Sequence, residues 1–129
     1  MRRLALVLVA VLGLSACDLD KLAAWIQQTR DEATAAGMPC AELADAVAWR
    51  GLPEHFLYVI ERESNCTPTA VNRSSGALGL TQLMPFWLRY LCPMGIACSS
   101  QELLTIEANL DGAAVVYEAQ GWAAWSQTW

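Results

Sequence analysis

Pro53-Glu54-His55-Phe56-Leu57-Tyr58-Val59-Ile60-Glu61-Arg62-Glu63-Ser64 is the stretch from which the rest of the chain is read. Proline early in a helix is expected, because its missing N–H would have no partner there. At 100° per residue, Phe56, Leu57, Val59 and Ile60 share one apolar face, while Glu54, Glu61 and Arg62 lie mostly off it. Glu63 follows Ile60 by three residues, Val59 by four and Phe56 by seven. It therefore falls on or beside the apolar stripe, whereas Glu61 points away. A carboxylate held against apolar neighbours loses solvation when ionised and keeps its proton to higher pH, which a general acid working near neutrality requires. The blander reading is a half-wet residue at a helix end, and taken alone that reading is the commoner one.

Working outward, further helices are expected. Asp18 to Ala35 carries Leu22, Ala23, Ile26 and Thr29 at helical spacing, with Gly37 and Pro39 beyond its end. Ala41 to Arg50 repeats the pattern around Leu43 and Val47 and stops at Gly51. Ser99 to Tyr117 makes a last helix, with Ser100 as its cap and Leu103, Leu104, Ile106, Leu110, Ala113, Ala114 and Tyr117 spaced for a core. Thr67 to Ser75 is a polar loop, and Gly76-Ala77-Leu78-Gly79-Leu80 a tight backbone turn. No stretch alternates with period two, so the fold class is mainly α, with a small irregular hairpin around Gly76.

The 129 residues suffice for one domain beside a processed leader. The formal charge is −5, and without Arg2 and Arg3 six basic residues face 13 acidic ones. That balance excludes nucleic acid as a partner, since phosphate binding needs a basic stripe. Polymer binding must then come from a groove rather than long-range attraction.

Met1-Arg2-Arg3 followed by apolar Leu4 to Leu14 reads as an export signal, too short to remain as a spanning anchor. Leu14-Ser15-Ala16-Cys17 resembles the lipobox of bacterial lipoproteins, in which cleavage leaves a lipidated cysteine, here Cys17. The alternative is an ordinary secreted protein cut near Ala16. Asp18 resembles the inner-membrane retention signal of some lipoproteins, and inner and outer membrane both stay open. Setting Cys17 aside leaves Cys40, Cys66, Cys92 and Cys98, which in a small exported domain read as two disulfides. Of three connectivities, a local clip Cys92–Cys98 with a longer staple Cys40–Cys66 is preferred. Zinc is disfavoured by the absence of a C-x-x-C pair. The expected division is signal peptide 1–16, tether helix 17–38 and catalytic domain 39–129.

Glu63-Ser64, then Pro68, Ala70 and Asn72, then Gly76-Ala77-Leu78-Gly79-Leu80-Thr81-Gln82-Leu83-Met84-Pro85 closely resembles the soluble lytic transglycosylase domain. That family's mark is a catalytic glutamate followed by serine and, after a short loop, G-A-x-G-L-x-Q-x-M-P. The likeness is dense from Glu63 to Trp87, about a fifth of the chain, and looser from Gly51 to Gly121-Trp122. It implies a lysozyme-like fold with a groove for peptidoglycan strands of alternating N-acetylglucosamine (GlcNAc) and N-acetylmuramic acid (MurNAc). By position, Glu63 is the acid and base, Ser64 helps orient the acetamido group, and Gly76, Gly79 and Gln82 shape and line the groove. No metal or cofactor is implied. The late Y-N-A-G motif of the family has no clean counterpart: Tyr117-Glu118-Ala119-Gln120-Gly121 is its degenerate form, or else Asn109 and Tyr117 belong to the preceding helix. Trp87, Trp122 and Trp125 are candidates for sugar stacking, though packing is the expectation for at least two of them.

Two-carboxylate glycosidases need an Asp or Glu across the scissile bond, yet no acidic residue stands between Ser64 and Gln101. The substrate's own 2-acetamido or 6-hydroxyl group is then the expected nucleophile. Two rivals accompany this reading. One is a hydrolase of the same fold; the other is a non-catalytic wall-binding part of envelope machinery such as a secretion or conjugation apparatus.

Overall fold

The computed structural model describes residues 15–127. Residues 1–14 of the signal peptide expected over 1–16 lie outside them. Among the described residues, five α-helices are joined by loops and short 3₁₀ turns: α1 Ala16–Ala35, α2 Ala44–Trp49, α3 Phe56–Ser64, α4 Leu88–Leu91 and α5 Ile106–Gln120. Among the described residues the only extended pairing is two isolated antiparallel bridges, Val71 with Leu78 and Leu78 with Leu83. The mainly α class with a small irregular hairpin is therefore what the chain adopts.

Helix α3 is the core's axis. Phe56, Leu57, Val59 and Ile60 are completely enclosed, each contributing roughly 1.5–3 kcal/mol of burial. Hydrogen bonding begins earlier than the helix proper, in turns that return Phe56 N–H to the Pro53 carbonyl and Leu57 N–H to that of Glu54. The helix stops at Asn65, whose left-handed conformation (φ 51°) lets its N–H reach the Glu61 carbonyl. Asparagine is among the few non-glycine residues suited to that role. Cys66 follows and is bridged to Cys40, with Cα atoms 5.6 Å apart. Cys92 pairs with Cys98 at 4.4 Å, so the preferred connectivity is the one formed. Cys17 is exposed and unbridged.

The last helix differs from its expected form. Ser99–Tyr117 is broken: Glu102–Leu104 is a 3₁₀ turn, and Thr105, extended at ψ 151°, caps α5 by accepting from Ala108 N–H. Ser100 caps nothing, because Glu102 folds back and its carboxylate accepts from the N–H groups of Cys98 (2.6 Å) and Ser99 (2.9 Å). The break resets the helix phase. Leu103, Asn109, Leu110, Gly112, Ala113 and Val116 are the buried positions, whereas Leu104, Ile106, Ala114 and Tyr117 are half-buried.

Two arginines lock the helices together. Arg30 of α1 donates to both carboxylate oxygens of Asp45 (2.8 and 3.2 Å), beside the packed rings of Trp25 and Trp49. Arg50 donates to Asp111 of α5 (2.7 Å) and to the carbonyl of Ala46 (2.8 Å), tying α2 to α5. Among the described residues no helix is long and apolar enough to cross a membrane.

Candidate active site

Glu63 sits in the last turn of α3, above the face that Phe56, Val59 and Ile60 bury, and is half-buried itself. Its neighbours diverge. Glu61 and Arg62 are exposed, while Ser64 turns inward, buried, with its hydroxyl donating to the Ile60 carbonyl (3.0 Å). The Ser64 oxygen keeps lone pairs but its proton is committed. Glu63 is thus held at the boundary between apolar core and solvent by a helix that cannot rotate without exposing four enclosed side chains.

The chain leaving this helix returns to the glycine turn. Ala70, six residues beyond Ser64, accepts from Gly79 N–H (2.7 Å) and from the Gln82 side-chain amide (3.2 Å). The same amide group donates to the Gly79 carbonyl at 3.0 Å. Both amide hydrogens of Gln82 are therefore spent on backbone, and the group it can offer a ligand is its carbonyl oxygen, an acceptor. Its backbone is left-handed (φ 53°), a conformation held by Gln82 N–H on the Gly79 carbonyl and by the Leu78–Leu83 pair. At the hairpin's other end, Gly76 N–H bonds the Asn72 carbonyl (2.7 Å), and the Asn72 side chain accepts from Ser74 and Ser75.

Behind the turn stands Asn109. It is fully buried and uses its whole side-chain amide: Nδ2 donates to the carbonyls of Leu78 and Leu103 (both 2.9 Å), and Oδ1 accepts from Thr81 N–H and hydroxyl. Gly79 packs so closely here that a Cβ would collide with Asn109 Nδ2 and the Leu103 carbonyl. Trp125 closes the other side by donating its indole N–H to the Thr81 carbonyl (2.8 Å). Among the described residues no buried side-chain polar atom lacks a partner.

Tyr117 packs edge-on against Phe56 (centroids 5.3 Å) and against Trp122 (5.0 Å), with Trp125 on the same phenyl ring at 4.9 Å. Its contact on α3 is thus with Phe56, about two helical turns before Glu63. Trp122 and Trp125 are packing residues in this aromatic cluster; Trp87, half-buried, instead continues outward to exposed rings.

Of the sequence candidates, Gly79 and Gln82 meet directly and share Ala70, Gly76 caps the same hairpin, and Ser64 faces the core. Thr81 and Asn109 are the organising pair that the motif reading passes over. A signal existed: Asn109 is a polar residue in the middle of an otherwise apolar stripe, where it must find partners. Three carboxylates near these elements are engaged structurally, Asp45 and Asp111 by arginines and Glu102 by backbone N–H groups. A separate cleft of about 180 Å³ between α1, α2 and the start of α3 is lined by Thr29, Val47, Leu52 and Glu54 among others, and by none of the predicted site residues. Among the described residues no three His, Cys, Asp or Glu side chains gather to hold a metal.

A glutamate at a buried helix end, a short loop and a glycine turn clamped to a following helix define the lysozyme-like class. The family model described as the Transglycosylase SLT domain matches residues 42–118, more than half of the chain. The chain belongs to that family, and the match spans Glu63, Ser64, Gly76, Gly79, Gln82 and Tyr117. Its membership carries peptidoglycan lysis of the lytic transglycosylase type. No curated protein and no solved structure matches the chain.

Proposed function

We propose that this protein cleaves the β-1,4 bond between MurNAc and GlcNAc with Glu63 as both acid and base, leaving a 1,6-anhydroMurNAc end. The observation that carries this reading is the position of Glu63, half-buried at the tip of a helix whose apolar face is sealed. Glu63 gives its proton to the glycosidic oxygen as the C1–O bond breaks, and the charge growing at C1 is met by the substrate's 2-acetamido carbonyl. The resulting Glu63 carboxylate then takes the proton of the C6 hydroxyl, whose oxygen closes on C1. The carboxyl is regenerated and no water is consumed. The absence of acidic residues between Ser64 and Gln101 favours this route over one needing a second carboxylate. Gln82, with both amide hydrogens held by backbone, serves by accepting from a sugar hydroxyl or amide.

Export and anchoring through a lipidated Cys17, on the periplasmic side of the inner or outer membrane, belong to the same proposal. Cys17 is the one cysteine outside the two bridges, and it is exposed. Labelling of the wild type, but not of Cys17→Ala, by a clickable fatty acid tests it.

The decisive experiment is digestion of purified sacculi with products resolved by mass. Anhydro ends, lighter by one water than hydrolysed ends, support cyclisation; hydrated ends assign a hydrolase instead. Glu63→Gln is expected to reduce product release by at least about a thousandfold while the folded variant still binds sacculi. Undiminished activity in that variant removes Glu63 from the chemistry.

A further inference from the structure

The segment after the glycine motif, Pro85 to Tyr90, carries rings that neither the core nor the proposed chemistry uses. Phe86 is 51 % and Tyr90 52 % exposed, although aromatic side chains of this size are ordinarily covered. They are not scattered. Phe86 lies 4.9 Å from Trp87 between centroids, and Trp87 5.6 Å from Tyr90, so three rings run as one surface along the 3₁₀ turn and α4. Trp87 packs partly on the core and fixes the row from beneath. Met84, 38 % exposed, precedes Phe86 by two residues.

Two further observations indicate what covers this surface. First, it is continuous with the candidate site: Pro85, at the head of the row, lies 3.8 Å from where a Cβ would stand on Gly76. Secondly, Arg89 projects from the same short helix, exposed and without an ion pair among the described residues. In a chain of formal charge −5, a cation left open among bare rings fits an occupant that is apolar-faced and acidic. Sugar rings present C–H faces that stack on aromatics, and MurNAc carries a carboxyl on its lactyl group or on the peptide attached there.

We infer that Phe86, Trp87 and Tyr90 form a platform on which the glycan strand stacks beyond the glycine turn, with Arg89 meeting the acidic substituent of MurNAc. This rests on the proposed function for its substrate, and it adds positioning residues outside the family motif. Phe86 and Tyr90 act on strand binding and leave the proton transfer to Glu63.

The test uses the full-length protein carrying Glu63→Gln, so that strands are bound and not cut. Affinity for isolated glycan strands is measured by intrinsic tryptophan fluorescence for this parent, for Phe86→Ala/Tyr90→Ala and for Arg89→Gln in the same background. Because both rings are more than half exposed, an unchanged melting temperature is expected and is checked. The double variant should bind strands about tenfold or more weakly. Arg89→Gln should lose affinity for these strands and none for chitin oligosaccharides, which lack the acid. Equal affinity of the double variant and the parent, or failure of the parent to bind strands, overturns the inference. So does a result in which the double variant loses only vesicle binding or self-association. Sacculus digestion by the wild type is scored separately: its failure counts against the proposed function, while the binding comparison still judges the platform.

Discussion

The side-chain oxygen of Asn109 accepts from both the N–H (2.9 Å) and the hydroxyl (2.8 Å) of Thr81, 28 residues away. This double bond of polar contacts holds the glycine turn on α5. Removing the amide in Asn109→Ala would leave two donors on Thr81 and the carbonyls of Leu78 and Leu103 buried without it. Each such group costs about 1–3 kcal/mol when left unmade, so a loss of about 3–5 kcal/mol is expected, which for a domain of this size lowers Tm by more than about 10 °C. Thermal unfolding followed by circular dichroism checks it; a change under about 1 kcal/mol would mean that water replaces the amide.

Gly76 and Gly79 share a left-handed backbone, φ 78° and 74°, but not an environment. A Cβ on Gly76 meets only Pro85 Cγ at 3.8 Å, whereas on Gly79 it runs into Asn109 (Cγ 2.9 Å) and the Leu103 backbone. Gly76→Ala should therefore cost about 1–2 kcal/mol of conformational strain alone. Gly79→Ala should cost clearly more, about 3 kcal/mol or above, because it also pries Asn109 from the turn. Chemical denaturation of the two variants side by side gives the ranking, and equal losses would refute the steric account.

The sequence made α3 legible because its apolar face repeats at helical spacing and its flanking residues are polar; the burial of Phe56, Val59 and Ile60 and the outward turn of Glu61 follow from that alone. The disulfides followed from the small number of pairings and the short loop between Cys92 and Cys98. What escaped was decided by side chains answering local backbone. Thr105 rather than Ser100 caps α5 because Glu102 captures the preceding N–H groups, and periodicity cannot register that competition. Asn109 was legible as a helix residue but not as the clamp of the turn, since its four bonds go to two stretches separated in sequence, the turn at Leu78 and Thr81 and the 3₁₀ segment at Leu103.

Glu102 also gives the fold an acid-sensitive contact. Its bonds from Cys98 N–H first, and Ser99 N–H second, hold its carboxyl below the ordinary 4.5, against a smaller opposing effect of desolvation. A carboxyl lowered by folding stabilises the native state fully above its unfolded value and loses that contribution as pH falls through the folded one. The wild type should thus lose melting temperature as pH drops below 4.5, whereas Glu102→Gln, which lacks the charged acceptor at every pH, should melt lower near neutrality and decline less steeply, so that the two converge in acid. Parallel Tm profiles across that range would show that the contact does not contribute.

Gln82 offers the reverse case. Its amide nitrogen donates to the carbonyls of Ala70 (3.2 Å) and Gly79 (3.0 Å), so this position demands a donor. In Gln82→Glu an ionised oxygen would face two carbonyl oxygens, losing both bonds and adding repulsion, for a destabilisation of about 1–3 kcal/mol at neutral pH. Protonation restores one donor, so the introduced carboxyl titrates higher in the folded variant than in the unfolded chain. The variant's deficit relative to wild type should therefore shrink as pH falls through that raised value. Denaturant midpoints for both proteins at neutral and at mildly acid pH measure it, and a deficit that stays constant between them would mean that the amide's two donor bonds are not what hold the turn.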